Sequence, residues 1–104
     1  MKMFLAISAV VTVFAAVSAQ GAEVSGKELF ERHCARCHPD GGNIIVPDKT
    51  LRKKDLDRRG ITDAKKVMAA MQNGIDQKMP VFPTNVIPKK DAKAIAEYIL
   101  ETFK

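Results

Sequence analysis

Cys34-Ala35-Arg36-Cys37-His38 holds both cysteines of this 104-residue chain and one of its two histidines. Two thiols three positions apart, with an imidazole directly after the second, is the spacing of a c-type haem attachment site. On a helix, Cys37 lies about 60° to one side of Cys34 and His38 about 40° to the other, so all three leave one face. Thiols so placed can form thioethers to two porphyrin vinyl groups while the imidazole reaches the iron. A zinc site would need a second ligand pair, which the chain lacks. His33 leaves a helix on a different side from Cys34 and supplies no such pair. A thioredoxin-like redox pair opens a helix within an αβ pattern. Here the pair closes a helix, and no strand-like alternation is present.

A haem iron held by one histidine needs a second axial ligand unless it binds gases or peroxide. The candidates are the methionines, His33 and the lysines. Met79 is the chosen one. It lies 41 residues after His38, and Pro80 follows it directly, biasing its backbone away from helical geometry. Pro83 stiffens the same loop. Met68 and Met71 sit at core spacing on a helix, where methionine fills gaps. His33 is expected to face solvent, and Lys78 would first have to shed its proton. A thioether is a soft, neutral ligand that favours the ferrous state and raises the reduction potential. An iron closed on both faces has no position for a substrate, which leaves one-electron exchange and no enzyme activity. An iron left open by Met79 would instead suit a peroxidase-like enzyme or a gas sensor. A third reading is a small subunit of a larger oxidoreductase.

The beginning of the chain reads as an export signal. Lys2 precedes an apolar run from Met3 to Val17, interrupted only by Ser8 and Thr12, and Val17-Ser18-Ala19 fits a small-x-small cleavage pattern. The run is shorter than the ~20 residues of a membrane span. Cleavage is expected after Ala19, with Ala22 as the second choice, so residues 1–19 form a signal peptide and residues 20–104 one haem-bearing domain. No cysteine at the cleavage site could accept a lipid. The destination is the periplasm or a thylakoid-lumen-like compartment. In such oxidising surroundings a free cysteine pair becomes a disulfide, and thioether formation is the other way to retire both thiols. A domain this short buries a small core, which a large apolar cofactor would complete.

The formal net charge is +5. Lys49, Arg52, Lys53, Lys54, Arg58 and Arg59 cluster on and around one short segment, partly neutralised by Asp55 and Asp57. Such a run is usually a solvated helix face. Its functional reading is steering toward an acidic partner, to which Lys65, Lys66 and Lys78 add. Nucleic acid is not expected, because no aromatic stacking surface accompanies the charge.

Four helices are predicted. The first runs from Gly26 to Arg36, ended by Pro39-Asp40-Gly41-Gly42. Ile44, Ile45 and Val46 should turn inward in the following loop. A basic helix spans Thr50 to Arg59. A third, capped by Thr62, runs to about Asn73 with Val67, Met68 and Met71 as its apolar stripe. Ile75 to Pro88 is irregular, and a last helix covers Lys89 to Thr102 with Ile95, Tyr98 and Ile99 inward. The fold class is all-α, four or so short helices wrapped around one covalently attached haem.

These residues resemble those of class I c-type cytochromes, and among them the small monohaem cytochrome c-six type. The resemblance runs through Gly26, Phe30, Cys34 to His38, Gly41-Gly42-Asn43, Lys49-Thr50-Leu51, Gly60, Asn73-Gly74, Met79-Pro80-Val81-Phe82, Ile95 and Tyr98, essentially the whole domain. It implies a cytochrome c fold in which Gly26 and Phe30 cross the last helix at Ile95 and Tyr98. It implies haem c held by Cys34 and Cys37, with His38 and Met79 as axial ligands. It also implies a backbone carbonyl near Pro47 that holds the His38 ring N–H, and an Asn73 side chain near the methionine, near a propionate or in a helix cap. Photosynthetic members carry glutamine at the position matching Ala70, and the loop Ile75-Asp76-Gln77-Lys78 is this chain's own. The implied role is a monomeric electron shuttle, not inserted in a membrane. Its partners would be a quinol-oxidising complex, other cytochromes, or a terminal oxidase or reductase.

Overall fold

A computed structural model describes residues 6–13, 24–76 and 78–104. The expected cleavage positions Ala19 and Ala22, and Gln77, lie outside them. Residues 6–13 are exposed and carry neither helix nor strand. The described residues hold four α-helices, α1 (Gly26–His33), α2 (Lys53–Arg58), α3 (Ala64–Asn73) and α4 (Lys89–Thr102), with a short 3-10 turn at Pro39–Gly41 and no strand.

Helix α1 starts where the Ser25 hydroxyl accepts the Glu28 amide at 3.2 Å, the side-chain cap that replaces a missing helical partner. It ends three residues earlier than predicted. The amides of Cys34 and Ala35 both donate to the Phe30 carbonyl, and those of Cys37 and His38 both return to the Cys34 carbonyl. The chain thus leaves the helical ladder at Cys34. Pro39 then keeps His38 out of helical geometry, at φ −117° and ψ 53°. The attachment motif lies in tight turns after α1, not on a helix, so the one-face argument holds only loosely.

Helix α4 presents Ala92, Ile95, Ala96 and Ile99 to the core, the i, i+3, i+4, i+7 spacing of one apolar stripe. Helices α1 and α3 both pack on it. The α1–α4 crossing depends on Gly26, because a Cβ there would run into the Ala94 carbonyl. Phe30 lies between the rings of Tyr98 and Phe103, with centroids 5.4 and 5.3 Å away. Such tilted aromatic pairs add to the burial each ring supplies. The predicted crossing is therefore present, with Ala94 and Phe103 added to it.

Helix α2 is shorter than predicted. The Thr50 hydroxyl accepts the Arg52 amide and donates to Asp55, which keeps residues 50–52 out of the helix. The Phe103 carbonyl accepts the Lys53 amide and closes the first turn. Helix α3 is capped by Asp63, whose carboxylate takes the Lys66 amide at 2.8 Å. Thr62 instead meets the Lys66 ammonium. A carboxylate at that position serves better than a hydroxyl one residue early, because it faces the helix's free amides and its dipole.

Candidate functional site

Cys34, Cys37, His38 and Met79 all line one cleft of about 920 Å³, its open mouth included. Leu56, Ile61, Val67, Met71, Phe82 and Ile99 supply apolar walls. Cys34 and His38 are buried, while Cys37 and Met79 are half-buried. The folded chain thus brings together all four residues singled out from the sequence.

His38 Nδ1 lies 2.7 Å from the Gly42 carbonyl oxygen. A carbonyl only accepts, so Nδ1 carries the hydrogen and Nε2 keeps its lone pair. The holding carbonyl is Gly42, not one near Pro47. The turn through Pro39–Gly41 brings the Gly42 carbonyl back to its own histidine, so the ring N–H is taken within the turn. Burial lowers the His38 pKa from its ordinary value. The Gly42 bond opposes this, and the Arg59 charge adds to it. The ring is therefore neutral near pH 7, the form that binds metals. Neither cysteine is in a disulfide. Before it is joined to haem, the Cys34 thiol is held protonated by burial, its pKa raised to about 11.

Two loops frame the cleft. In residues 42–51, the Asn43 carboxamide oxygen accepts the amides of Ile45 and Val46 at 2.9 and 2.8 Å, and its NH₂ donates to the Lys49 carbonyl at 2.9 Å. The Leu51 amide donates to Gly41 and the Ile44 amide to Cys37. The expected inward turn of Ile44 and Ile45 does not occur. They are 64% and 54% exposed, because Asn43 draws the backbone amides of this loop toward itself and leaves those side chains outside. Ile45 lies at the edge of the cleft, and only Val46 is half-buried there.

The second loop leaves α3 through Gly74 at φ 81°, a conformation that side-chain-bearing residues rarely adopt. It returns where the Phe82 amide donates to the Met71 carbonyl at 2.7 Å. His33 packs its ring edge against Phe82 at 6.2 Å and lines the cleft, so it is half-buried rather than solvent-facing. Met68 is half-buried and Met71 buried against the core, as their spacing required.

Sequence reasoning missed three groups. Asp76 accepts the Lys78 and Met79 amides at 2.9 and 3.2 Å and the Lys49 ammonium at 3.0 Å. Arg59 lines the same cleft. Gly42 holds the imidazole. Only Asp76 left a signal, an Asp two residues ahead of an amide it can fold onto.

The site fits a haem. A buried imidazole has one nitrogen committed to the backbone and the other free. Two cysteines outside any disulfide line the same cleft, and a thioether shares its apolar space. Among the described residues, no group of three His, Cys, Asp or Glu side chains could hold a metal ion, and no helix is long and apolar enough to cross a membrane.

An all-α chain closing on one such cleft is a small c-type cytochrome. The chain belongs to the family described as cytochrome C oxidase, cbb3-type, subunit III, which matches residues 21–99. It is 31% identical to cytochrome c6 of Nostoc sp. over 98 residues, 94% of this chain and 86% of the relative. Among solved structures, OmcF, outer membrane cytochrome F from Geobacter sulfurreducens, superposes with a TM-score of 0.74 at 41% identity, covering 77% of this chain and 100% of that one. Cytochrome c6B from Synechococcus sp. superposes with a TM-score of 0.67 at 34% identity, covering 73% and 84%. The protein carries one covalently bound haem c and is an electron carrier, not an enzyme.

Proposed function

We propose that this protein is a periplasmic one-electron carrier whose haem is held by Cys34 and Cys37 through thioethers and by His38 and Met79 as axial ligands. The carrying observation is the shared cleft, in which two cysteines outside any disulfide, an imidazole with Nδ1 already bonded and a thioether meet among apolar walls. When bound, the haem supplies reversible one-electron exchange between ferric and ferrous iron. Gly42 fixes the imidazole plane and strengthens its free nitrogen as a donor. Met79 raises the potential relative to a second histidine. The walls of Leu56, Ile61, Val67 and Ile99 exclude water.

Residues 1–19 act as a signal peptide and residues 20–104 as the haem domain. The reading is supported by Ile7, Val10, Val11 and Val13, four exposed apolar side chains outside the core. Docking uses the basic surface. Lys53 pairs with Asp57 and Arg58 with Asp55. Arg52, Lys54, Lys65, Lys66 and Lys78 are also exposed and draw an acidic partner in salt-sensitive, brief encounters. The partners are a quinol-oxidising complex or another cytochrome as donor, and an oxidase, reductase or further cytochrome as acceptor. The family's description names an oxidase subunit, which supports an oxidase among them.

The test is Met79→Ala in the haem-loaded protein. It should abolish the long-wavelength ferric iron–thioether charge-transfer band, lower the midpoint potential and open the iron to added imidazole. A variant that kept the parent spectrum and potential would assign the sixth position to another side chain.

A further inference from the structure

The Asp76 carboxylate accepts three hydrogen bonds, and each comes from a residue that lines the haem cleft. One carboxylate oxygen accepts the amides of Lys78 and Met79. The other accepts the Lys49 ammonium from 27 residues away in the chain. Lys49 is itself held. Its amide donates to the Val46 carbonyl, and its carbonyl accepts the Asn43 side chain. Asn43 follows Gly42, whose carbonyl carries the His38 ring. A continuous run of bonds therefore joins the His38 imidazole to the Met79 backbone: His38 to Gly42, along the chain to Asn43, then to Lys49, to Asp76 and to Met79. Lys49, Asp76 and Met79 all line the cleft.

The geometry points to the Lys49–Asp76 pair as a strap that ties the loop holding His38 to the loop carrying Met79, with Asp76 as a positioning residue for the methionine. This rests on Met79 being the sixth ligand. The backbone at Met79 is clamped on both sides. Pro80 restricts it from the C-terminal side, and Asp76 fixes its amide from the N-terminal side. A side chain on a fixed backbone has only its own rotamers to search before it returns to the iron, so the bound state is favoured over escape. The pair is part-exposed, at 37% for Lys49 and 26% for Asp76, so the ion pair alone is a modest contribution. The carboxylate's two amide bonds are charge-assisted and carry more.

The experiment measures imidazole affinity for the ferric haem protein, together with the iron–thioether band and the midpoint potential, in Asp76→Ala, Asp76→Asn, Lys49→Ala and the Lys49→Ala/Asp76→Ala double variant. Asp76→Ala should raise imidazole affinity roughly tenfold and weaken the band, the scale of losing charge-assisted hydrogen bonds. Asp76→Asn keeps an oxygen for both amides but loses the charge that strengthens those bonds, together with the pairing with Lys49. It should fall between Lys49→Ala, at roughly two- to fivefold, the scale of a part-exposed ion pair, and Asp76→Ala. The double variant should be no worse than Asp76→Ala, because both changes cut the same strap.

A purely structural role would lower thermal stability and leave affinity and potential alone, and that result overturns the proposal. Multiplying effects in the double variant also overturn it, since Lys49 would then act elsewhere, for example on a haem propionate. Met79→Ala is the control. If it opens the iron and Asp76→Ala does not, the strap fails and the ligand assignment stands. If Met79→Ala leaves imidazole affinity unchanged, the assignment itself fails. Should Asp76→Ala yield no haem protein, Asp76→Asn and Lys49→Ala decide alone, and parental affinity in both refutes the strap.

Discussion

The loop after the attachment motif and the loop around Met79 face one cleft and are held by different means. Residues 38–51 are laced by backbone bonds from Cys37, His38, Gly41 and Val46 and by three bonds from the single Asn43 side chain. His38 there is only 9% exposed. Residues 74–87 are pinned at a few points. These are the turn at Gly74, the Phe82–Met71 bond, the carboxylate of Asp76 and the turn that Val86 and Ile87 make on the Pro83 carbonyl. Val81 and Val86 stay exposed, while Ile87 plugs the core. Under the proposed ligation by His38 and Met79, the contrast follows from what each side would hold. An imidazole needs its ring plane fixed, which takes a hydrogen bond to one nitrogen. A thioether has no hydrogen to donate and accepts only weakly, so it is placed mainly through its backbone and its packing.

The largest effect should come from removing both anchors. Cys34→Ala/Cys37→Ala is expected to bring covalently bound haem to near zero, read by a pyridine haemochrome assay after acid–acetone extraction. Both loops would then frame an apolar cleft with nothing to fill it, and the small core should fail to hold a compact fold. Retention of extraction-resistant haem would place the attachment elsewhere.

Substitutions in each loop then separate the two ways of holding. Asn43→Ala removes three hydrogen bonds and should cost about 1–3 kcal/mol in chemical unfolding, with imidazole affinity raised no more than in Lys49→Ala, because Asn43 reaches Met79 only through the Lys49 carbonyl. Gly74→Ala forces a side chain into a conformation that costs about 1–3 kcal/mol, and its Cβ would sit 3.2 Å from Val81 Cγ2. That strain falls on the thioether side, so this variant should also open the iron to imidazole. Equal behaviour of the two variants would erase the distinction between the loops.

The smallest change in stability is expected on the outer basic face. Lys53→Glu/Lys54→Glu should alter unfolding free energy by no more than about 0.5 kcal/mol, because the Lys53–Asp57 pair is solvent-exposed. It should nevertheless slow association with an acidic redox partner and flatten the salt dependence of the rate. Unchanged kinetics at low ionic strength would mean that neither loop is approached across this face.

Much of the molecule is legible in the chain itself. The attachment motif, the all-α class, the bounds of α4 and the α3 end at Asn73-Gly74 all follow from local rules. Spacing, helix stops and proline restriction act within a few residues, so sequence alone expresses them. Apart from His33, drawn out of solvent by the distant Phe82, the helix bounds and caps that failed were local, where two local rules competed. Asp63 outranked Thr62 as a cap, Thr50 bonded Asp55 instead of entering α2, and the chain left α1 at Cys34 because two amides converged on the Phe30 carbonyl. What only the tertiary structure decided joins residues distant in sequence: Lys49 to Asp76, Gly26 to Ala94, and Phe30 between Tyr98 and Phe103. The partners in these contacts are chosen by how the helices cross, and no periodicity along the chain encodes a crossing.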